Sequence, residues 1–150
     1  MATIPFSGGD KLQSYLDELS KKVSKKATLN VGFLDGATYP DGTSVPVVAA
    51  IQEFGAPASG IPPRPFFRDM IAEERGHWGD DVGAALVGAD YDAAHALALM
   101  GEEIKGELRK SIADFSRVPL AEATVKAKGF DKQLVDTGHM LNSVDSEVKE

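Results

Sequence analysis

A chain of 150 residues and 15.9 kDa has the length of one domain, enough to bury about 70% of its unfolded surface without a metal or disulfide staple. Hydrophobic residues at 43% and charged residues at 26% exclude wholesale disorder, and the lack of cysteine excludes disulfides, thiolate clusters and cysteine nucleophiles. A net charge of −7 argues against tight binding to a phosphate backbone, since that affinity comes from cations displacing counterions.

Residues 9 to 26 read as an amphipathic helix in which Leu12, Leu16, Leu19 and Val23 form one apolar stripe between lysines and acids. Asp10, after Gly8 and Gly9, is the expected N-cap. From Thr28 to Leu34 the residues Leu29, Val31 and Phe33 alternate with smaller or polar ones, which predicts a strand with one buried face. Asp35 to Ser44 carries two Asp-Gly pairs and reads as a loop or hairpin-like excursion. Val45 to Phe54 is a short helix with Pro46 in its first turn, Val48, Ile51 and Phe54 on its apolar side, and Gly55 as its stop.

Ala56 to Pro65 holds four prolines, so it is expected to be stiff without being helix or sheet. Pro65 opens another helical stretch reaching about residue 88, broken between Gly76 and Gly79. Asp92 is expected to cap the longest helix, about 92–115, where Leu97, Met100, Ile104, Leu108 and Ile112 keep helical spacing. Pro119 to Lys128 reads as one more short helix, 129–136 as a loop, and Thr137 to Leu141 as a helical turn. Val144 to Val148 alternates as a final strand. With no repeat, low-complexity tract or linker, the expectation is a single domain over residues 1–150. Its class is α+β, a small antiparallel sheet packed with several helices.

The start, MATIPFSGGDK, has no basic segment leading into an apolar run, and no stretch approaches about 18 apolar residues. Neither a signal peptide nor a membrane contact is expected. Catalytic constellations are thin. His77, His95 and His139 lie in no His-Glu-x-x-His pattern, and there is no Gly-x-Ser-x-Gly elbow and no phosphate-binding glycine motif. His77 near Asp80 and Asp81 offers donors that zinc or manganese accept, but the spacing matches no signature, so no metal and no cofactor is expected. A small hydrolase using His77 or His95 with nearby acids stands as the enzymatic alternative.

The acidity is local. Ten acids between Asp69 and Glu107 face only Arg75 and Lys105, a net of −8, while the remainder of the chain carries +1. The opposite cluster, Lys21, Lys22, Lys25 and Lys26, suits the C-terminal end of a helix or a basic docking patch.

Three further runs stand out in order: Val45-Pro-Val-Val-Ala-Ala-Ile-Gln-Glu-Phe-Gly55, then Ile61-Pro-Pro-Arg-Pro-Phe-Phe-Arg68, and Leu134-Val-Asp-Thr-Gly-His-Met-Leu-Asn-Ser143 with Leu120 to Gly129 before it. Together with Tyr39-Pro-Asp-Gly-Thr43 they resemble the virion-morphogenesis proteins of tailed bacteriophages, the tail-completion or neck proteins of the head–tail junction. The resemblance spans about residues 29 to 148 and leaves the acidic middle without a signature. It implies a non-enzymatic virion protein, assembled in the host cytoplasm, that forms a homo-oligomeric, hexameric ring. That ring would complete the tail and join it to the head connector, or act as a tail terminator or minor tail component of the same assembly. Its partners would be further copies of itself, the tail-tube or tail-terminator protein and the portal-side neck protein, with genomic DNA passing through without tight binding. The interface residues this implies are Tyr39, Pro40, Asp41, Gly42, Glu53, Phe54, Arg64, Phe66 and Arg68, on or beside the irregular segments Asp35–Val45 and Ala56–Pro65. In such a ring Asp80, Asp81, Asp90, Asp92, Glu102 and Glu103 would face the channel, or else the solvent outside it. Asp136 or Thr137 would cap the short helix that follows them.

Overall fold

The computed structural model describes residues 8–120, 122–129, 134 and 138–150. Its elements follow in the order α1 (Gly9–Val23), β1 (Thr28–Phe33), α2 (Val45–Phe54), α3 (Phe66–Glu74), α4 (Trp78–Gly88), α5 (Ala93–Asp114), α6 (Glu122–Lys128), α7 (His139–Asn142) and β2 (Val144–Lys149). The class is α+β, as the sequence predicts. Among the described residues the sheet has two strands, β1 and β2, paired antiparallel from Thr28↔Lys149 to Phe33↔Val144.

Two strands alone do not form a stable sheet, so their buried face must be covered. The cover is α5, which packs on both strands and also carries α3 and α4. Asp92 caps it as expected, Oδ1 accepting from the His95 backbone N–H at 3.0 Å. Ala96, Met100, Gly101, Leu108 and Ile112 turn inward. At Gly101 the sheet comes so close that a Cβ would stand 2.9 Å from Ser146 Oγ and 3.0 Å from Leu29 Cδ1. The main core gathers Leu108, Ile112 and Phe115 with Val45, Phe66, Met70, Met140 and Val144. Ser111 and Arg109 stitch the same helix to the rest, donating to the Phe66 carbonyl at 2.7 Å and the Val144 carbonyl at 2.9 Å.

Several local expectations shift. Helix α1 starts at Gly9 as expected but ends at Val23 rather than residue 26, and its N-cap position is held by Gly8 in a left-handed conformation (φ 117°) that only glycine adopts cheaply. Asp10 therefore lies in the first turn and caps nothing through its side chain. The stretch Ala56–Pro65 contains a 3-10 turn at Pro57–Ser59 and a bridge between Ala56 and Ile61, more order than its prolines suggest. Helix α6 begins at Glu122 rather than near Pro119. Asp136 and Thr137 lie outside the described residues; Gly138 (φ 77°) occupies the N-cap position of α7 without a side-chain bond. The break between α3 and α4 falls where glycines 76 and 79 predict it.

The largest revision concerns α2. Its inward face is Val45, Ala49 and Glu53, whereas Ile51 and Phe54 are exposed and Val48 is half-buried. A carboxylate has displaced the expected apolar side, for reasons that lie at the start of α3. Leu108 is fully buried at the centre of the core. Leu108→Ala is expected to lower the unfolding free energy by about 2–5 kcal/mol in urea titration, with the fold otherwise retained.

Candidate functional site

Two of the motif runs, Val45–Gly55 and Ile61–Arg68, meet at one corner, where α2 ends and α3 begins. Pro65 stands at the N-cap position of α3 and offers no side-chain acceptor, so the first amides of that helix need a partner from elsewhere. Glu53, 4% exposed, supplies it. Its carboxylate accepts from the Phe67 N–H at 2.9 Å and the Arg68 N–H at 3.3 Å, and pairs with Arg68 Nε at 2.7 Å. A negative charge at a helix N-terminus is favoured by the helix dipole as well as by these bonds. The Arg68 guanidinium also donates to the Glu53 carbonyl at 3.2 Å and lies 5.0 Å from the centre of the Phe54 ring.

Gly55 lets the chain leave α2 at φ 76°, and a Cβ there would stand 2.8 Å from both the Ile61 carbonyl oxygen and the Pro63 nitrogen. The turn that follows is returned to α2 by Arg64, whose N–H donates to the Gln52 carbonyl at 2.7 Å and whose Nη1 donates to Gln52 Oε1 at 2.9 Å. Arg64 is buried, its Nε has no partner among the described residues, and burial lowers its pKa. Phe66 is wholly inside, edge-on to Phe33 at 6.3 Å between ring centres. Of the interface candidates here, Glu53, Arg64 and Phe66 thus hold the subunit together from within, while Phe54 and Arg68 reach its surface. A groove of about 270 Å³ opens beside them, lined by Phe33, Pro46, Ala50, Phe54 and Phe67.

The remaining interface candidates form a tight turn. Gly42 N–H donates to the Tyr39 carbonyl at 2.9 Å, with Pro40 and Asp41 between, and Asp41 Oδ1 accepts from the Thr43 N–H at 2.9 Å. That bond draws the Asp41 carboxyl below the usual carboxylate range. The turn is pinned to α7: the Tyr39 and His139 rings lie 4.8 Å apart, and His139 Nε2 hydrogen bonds the Thr38 carbonyl at 2.8 Å. Pro40, Asp41 and Gly42 are exposed at its tip.

The six acids considered for a channel are dispersed. Asp80 and Asp81 begin α4, and Asp90 and Asp92 follow its far end, about 16 Å away along an 11-residue helix. Asp90 pairs with Lys22 of α1, and Asp92 caps α5. Glu102 pairs with Lys105 at 2.5 Å on the side of α5 toward β2, whereas Glu103 lies on the side toward α4.

One constellation exceeds what spacing reveals. His77, at the N-cap position of α4, bonds Asp81 through Nδ1, and its Nε2 is 3.0 Å from Glu74 and 3.3 Å from Glu107. Glu103 completes the ring of carboxylates, and Trp78 Nε1 donates to Glu107 at 2.9 Å. Glu74, His77 and Glu107, or His77, Asp81 and Glu103, present donor atoms within 4.8 Å of one another, so either set has the chemistry to hold a divalent cation. A proton serves the same electrostatic need. The bonds to Asp81 and Glu74 raise the His77 pKa from 6.5 to about 9, leaving an imidazolium at neutral pH, while partial burial raises Glu107. His95 stands exposed on α5 and is not part of this group. The i, i+3 and i+7 spacing of Glu74, His77 and Asp81 was visible in the chain; the approach of Glu103 and Glu107 from α5 was not.

Two outcomes follow. Glu53→Ala is expected to cost about 2–3 kcal/mol, since it strips the α3 amides of their acceptor, and Arg68→Ala about 1 kcal/mol or less, because that side chain is half in water. Urea denaturation of both variants measures the difference. For His77, a raised folded value means its contribution is complete below about pH 6.5 and lost as pH climbs toward about 9. The urea midpoint is expected to fall across that window and to flatten in His77→Gln.

Compared with family models, curated proteins and solved structures, the chain matches none. Among the described residues no helix is long and apolar enough to cross a membrane.

Proposed function

We propose that this chain is a structural virion protein of the head–tail junction in a tailed bacteriophage, forming a homo-oligomeric ring that completes the tail and joins it to the head connector. The observation that carries the reading is the motif-bearing corner. Glu53, Arg64 and Phe66 fix α2 against α3 from inside, and the same corner leaves Phe54, Arg68 and an apolar groove facing outward. Residues that resemble a phage signature thereby make a rigid platform rather than a catalytic pocket. The exposed Pro40-Asp41-Gly42 tip, held by Tyr39 against α7, gives a second ordered projection for a tail-tube, terminator or neck partner.

The surface charge suits a junction through which DNA passes without adhering, for the net −8 between Asp69 and Glu107 offers few cations to phosphate. Hydrolase chemistry at His77 is disfavoured. Both ring nitrogens already bond carboxylates, and an imidazolium has no lone pair with which to act as a base at neutral pH. A tail terminator or a minor tail component uses the same ring logic at a neighbouring station.

Purified protein, alone or mixed with its tail-tube and connector partners, is expected to give ring-shaped particles by negative-stain microscopy and an oligomeric mass by light scattering. Virions supplied only with Phe54→Ala, a surface change, are expected to accumulate unjoined heads and tails. A lasting 15.9 kDa monomer that binds none of these partners, together with full infectivity of the variant, overturns the proposal.

A further inference from the structure

The group around His77 holds more negative charge than a protonated ring can balance. Glu74, Asp81, Glu103 and Glu107 bring four carboxylates to one histidine. Among the described residues Glu74, Asp81 and Glu107 have His77 as their ionic partner, and none of the four pairs with a lysine or arginine. Nearby cations are engaged elsewhere, Lys105 by Glu102 and Asp145 and Arg117 by Asp69. A proton on the ring offsets one of the four charges, and the rest act on any cation that approaches.

The donor geometry is more particular than an acidic surface requires. Asp81 is bonded to Nδ1 of His77, which in a neutral ring keeps the proton on Nδ1 and the lone pair on Nε2. That Nε2 lies 3.0 Å from Glu74 Oε2 and 3.3 Å from Glu107 Oε1. One donor atom from each of the three residues lies within 4.8 Å of the others. Ligands about 2.1 Å from a zinc ion stand about 3.0 Å apart at a right angle and about 3.4 Å apart at the tetrahedral angle, so both separations suit one ion. The other oxygen of Glu107 accepts from Trp78 Nε1 at 2.9 Å, leaving Oε1 to the ring. The imidazole and one carboxylate thus each carry the outer hydrogen bond by which metal ligands are oriented. Glu74 and Glu107 also line a cavity of about 310 Å³ between α3 and α5. It gives an ion a way in and room for the water that completes a three-ligand site.

We propose that Glu74, Nε2 of His77 and Glu107 bind a single zinc ion, with Asp81 and Trp78 orienting two of these ligands. The ion takes the place of the Nε2 proton, which passes to solvent, and ties the end of α3 and the start of α4 to α5. The imidazole nitrogen favours zinc over magnesium or calcium, which prefer oxygen ligands. The site lies within one subunit and is independent of how subunits assemble.

Full-length protein, freed of metal with a chelator, is titrated with zinc chloride at neutral pH by calorimetry. One ion per chain is expected, with the thermal midpoint raised by several degrees at saturation and unmoved by magnesium. Glu74→Gln and Glu107→Gln are each expected to weaken zinc binding about tenfold or more. Glu73→Gln and Glu102→Gln, acids outside the ligand set on the same helices, are expected to change it less than about twofold. Magnetic resonance of the ring nitrogens is expected to show zinc moving Nε2 while Nδ1 keeps its proton. Absence of saturable zinc binding by the unaltered chain overturns the proposal, as does an equal response to magnesium or equal losses in all four variants. Loss of binding in Glu103→Gln with none in Glu74→Gln puts the ion on Nδ1 between His77, Asp81 and Glu103, and overturns the ligand assignment.

Discussion

A two-stranded sheet has too little face to hold itself, and in this molecule that constraint organises everything else. The pairing of β1 with β2 exists because α5 lies across it. Gly101 brings helix and strands together more closely than any side chain would permit. With 22 residues, α5 is long enough to leave both ends free for other work. It packs on α4, bringing Glu103 and Glu107 to His77, and its second half receives Phe66 and Met70 of α3. The corner between α2 and α3 is therefore hung from the same helix that closes the sheet.

At that corner a single buried carboxylate decides which way α2 faces. Glu53 points inward to the amides of α3, which turns Ile51 and Phe54 outward. A fully apolar inner face would have packed as well against Phe66, but it would have left the α3 amides without an acceptor, since Pro65 provides none. The exposed apolar ridge of α2 and the polar bond beneath it are two sides of one arrangement. Rigidity inside and stickiness outside come from the same residue choice.

Much of this was legible in the chain. Period-two alternation located both strands, period 3.6 located α5, and Asp92, Gly55 and the glycines between α3 and α4 marked boundaries through local backbone chemistry. These signals act over a few residues and survive any tertiary context. What escaped was set by distant partners. Glu53 reads as a surface residue, although it continues the Val45, Ala49 spacing of four and so lies on the inner face. Gly8 rather than Asp10 holds the N-cap position of α1, at a φ that glycine adopts cheaply and with no side-chain acceptor for the first amides. Glu103 and Glu107 reach His77 only through the packing of α4 on α5, which no spacing within either helix encodes. The acids between Asp69 and Glu107 read as one block by composition, yet Asp92 caps α5, Asp90 pairs with Lys22 of α1, Asp69 pairs with Arg117, Glu102 pairs with Lys105, and Glu74, Asp81, Glu103 and Glu107 gather around His77.

The sheet also sets a timetable. Thr28 pairs with Lys149 and Phe33 with Val144, so the strands that close the domain stand at opposite ends of the described chain. Contacts so remote along the sequence pay a large loop-closure entropy and form late unless something else has already brought the ends together. During synthesis the helical segments emerge long before β2 does, and β1 waits with both edges unpaired. The seam at Gly101 therefore forms only once β2 has reached β1, and a chain lacking β2 has no sheet for α5 to cover.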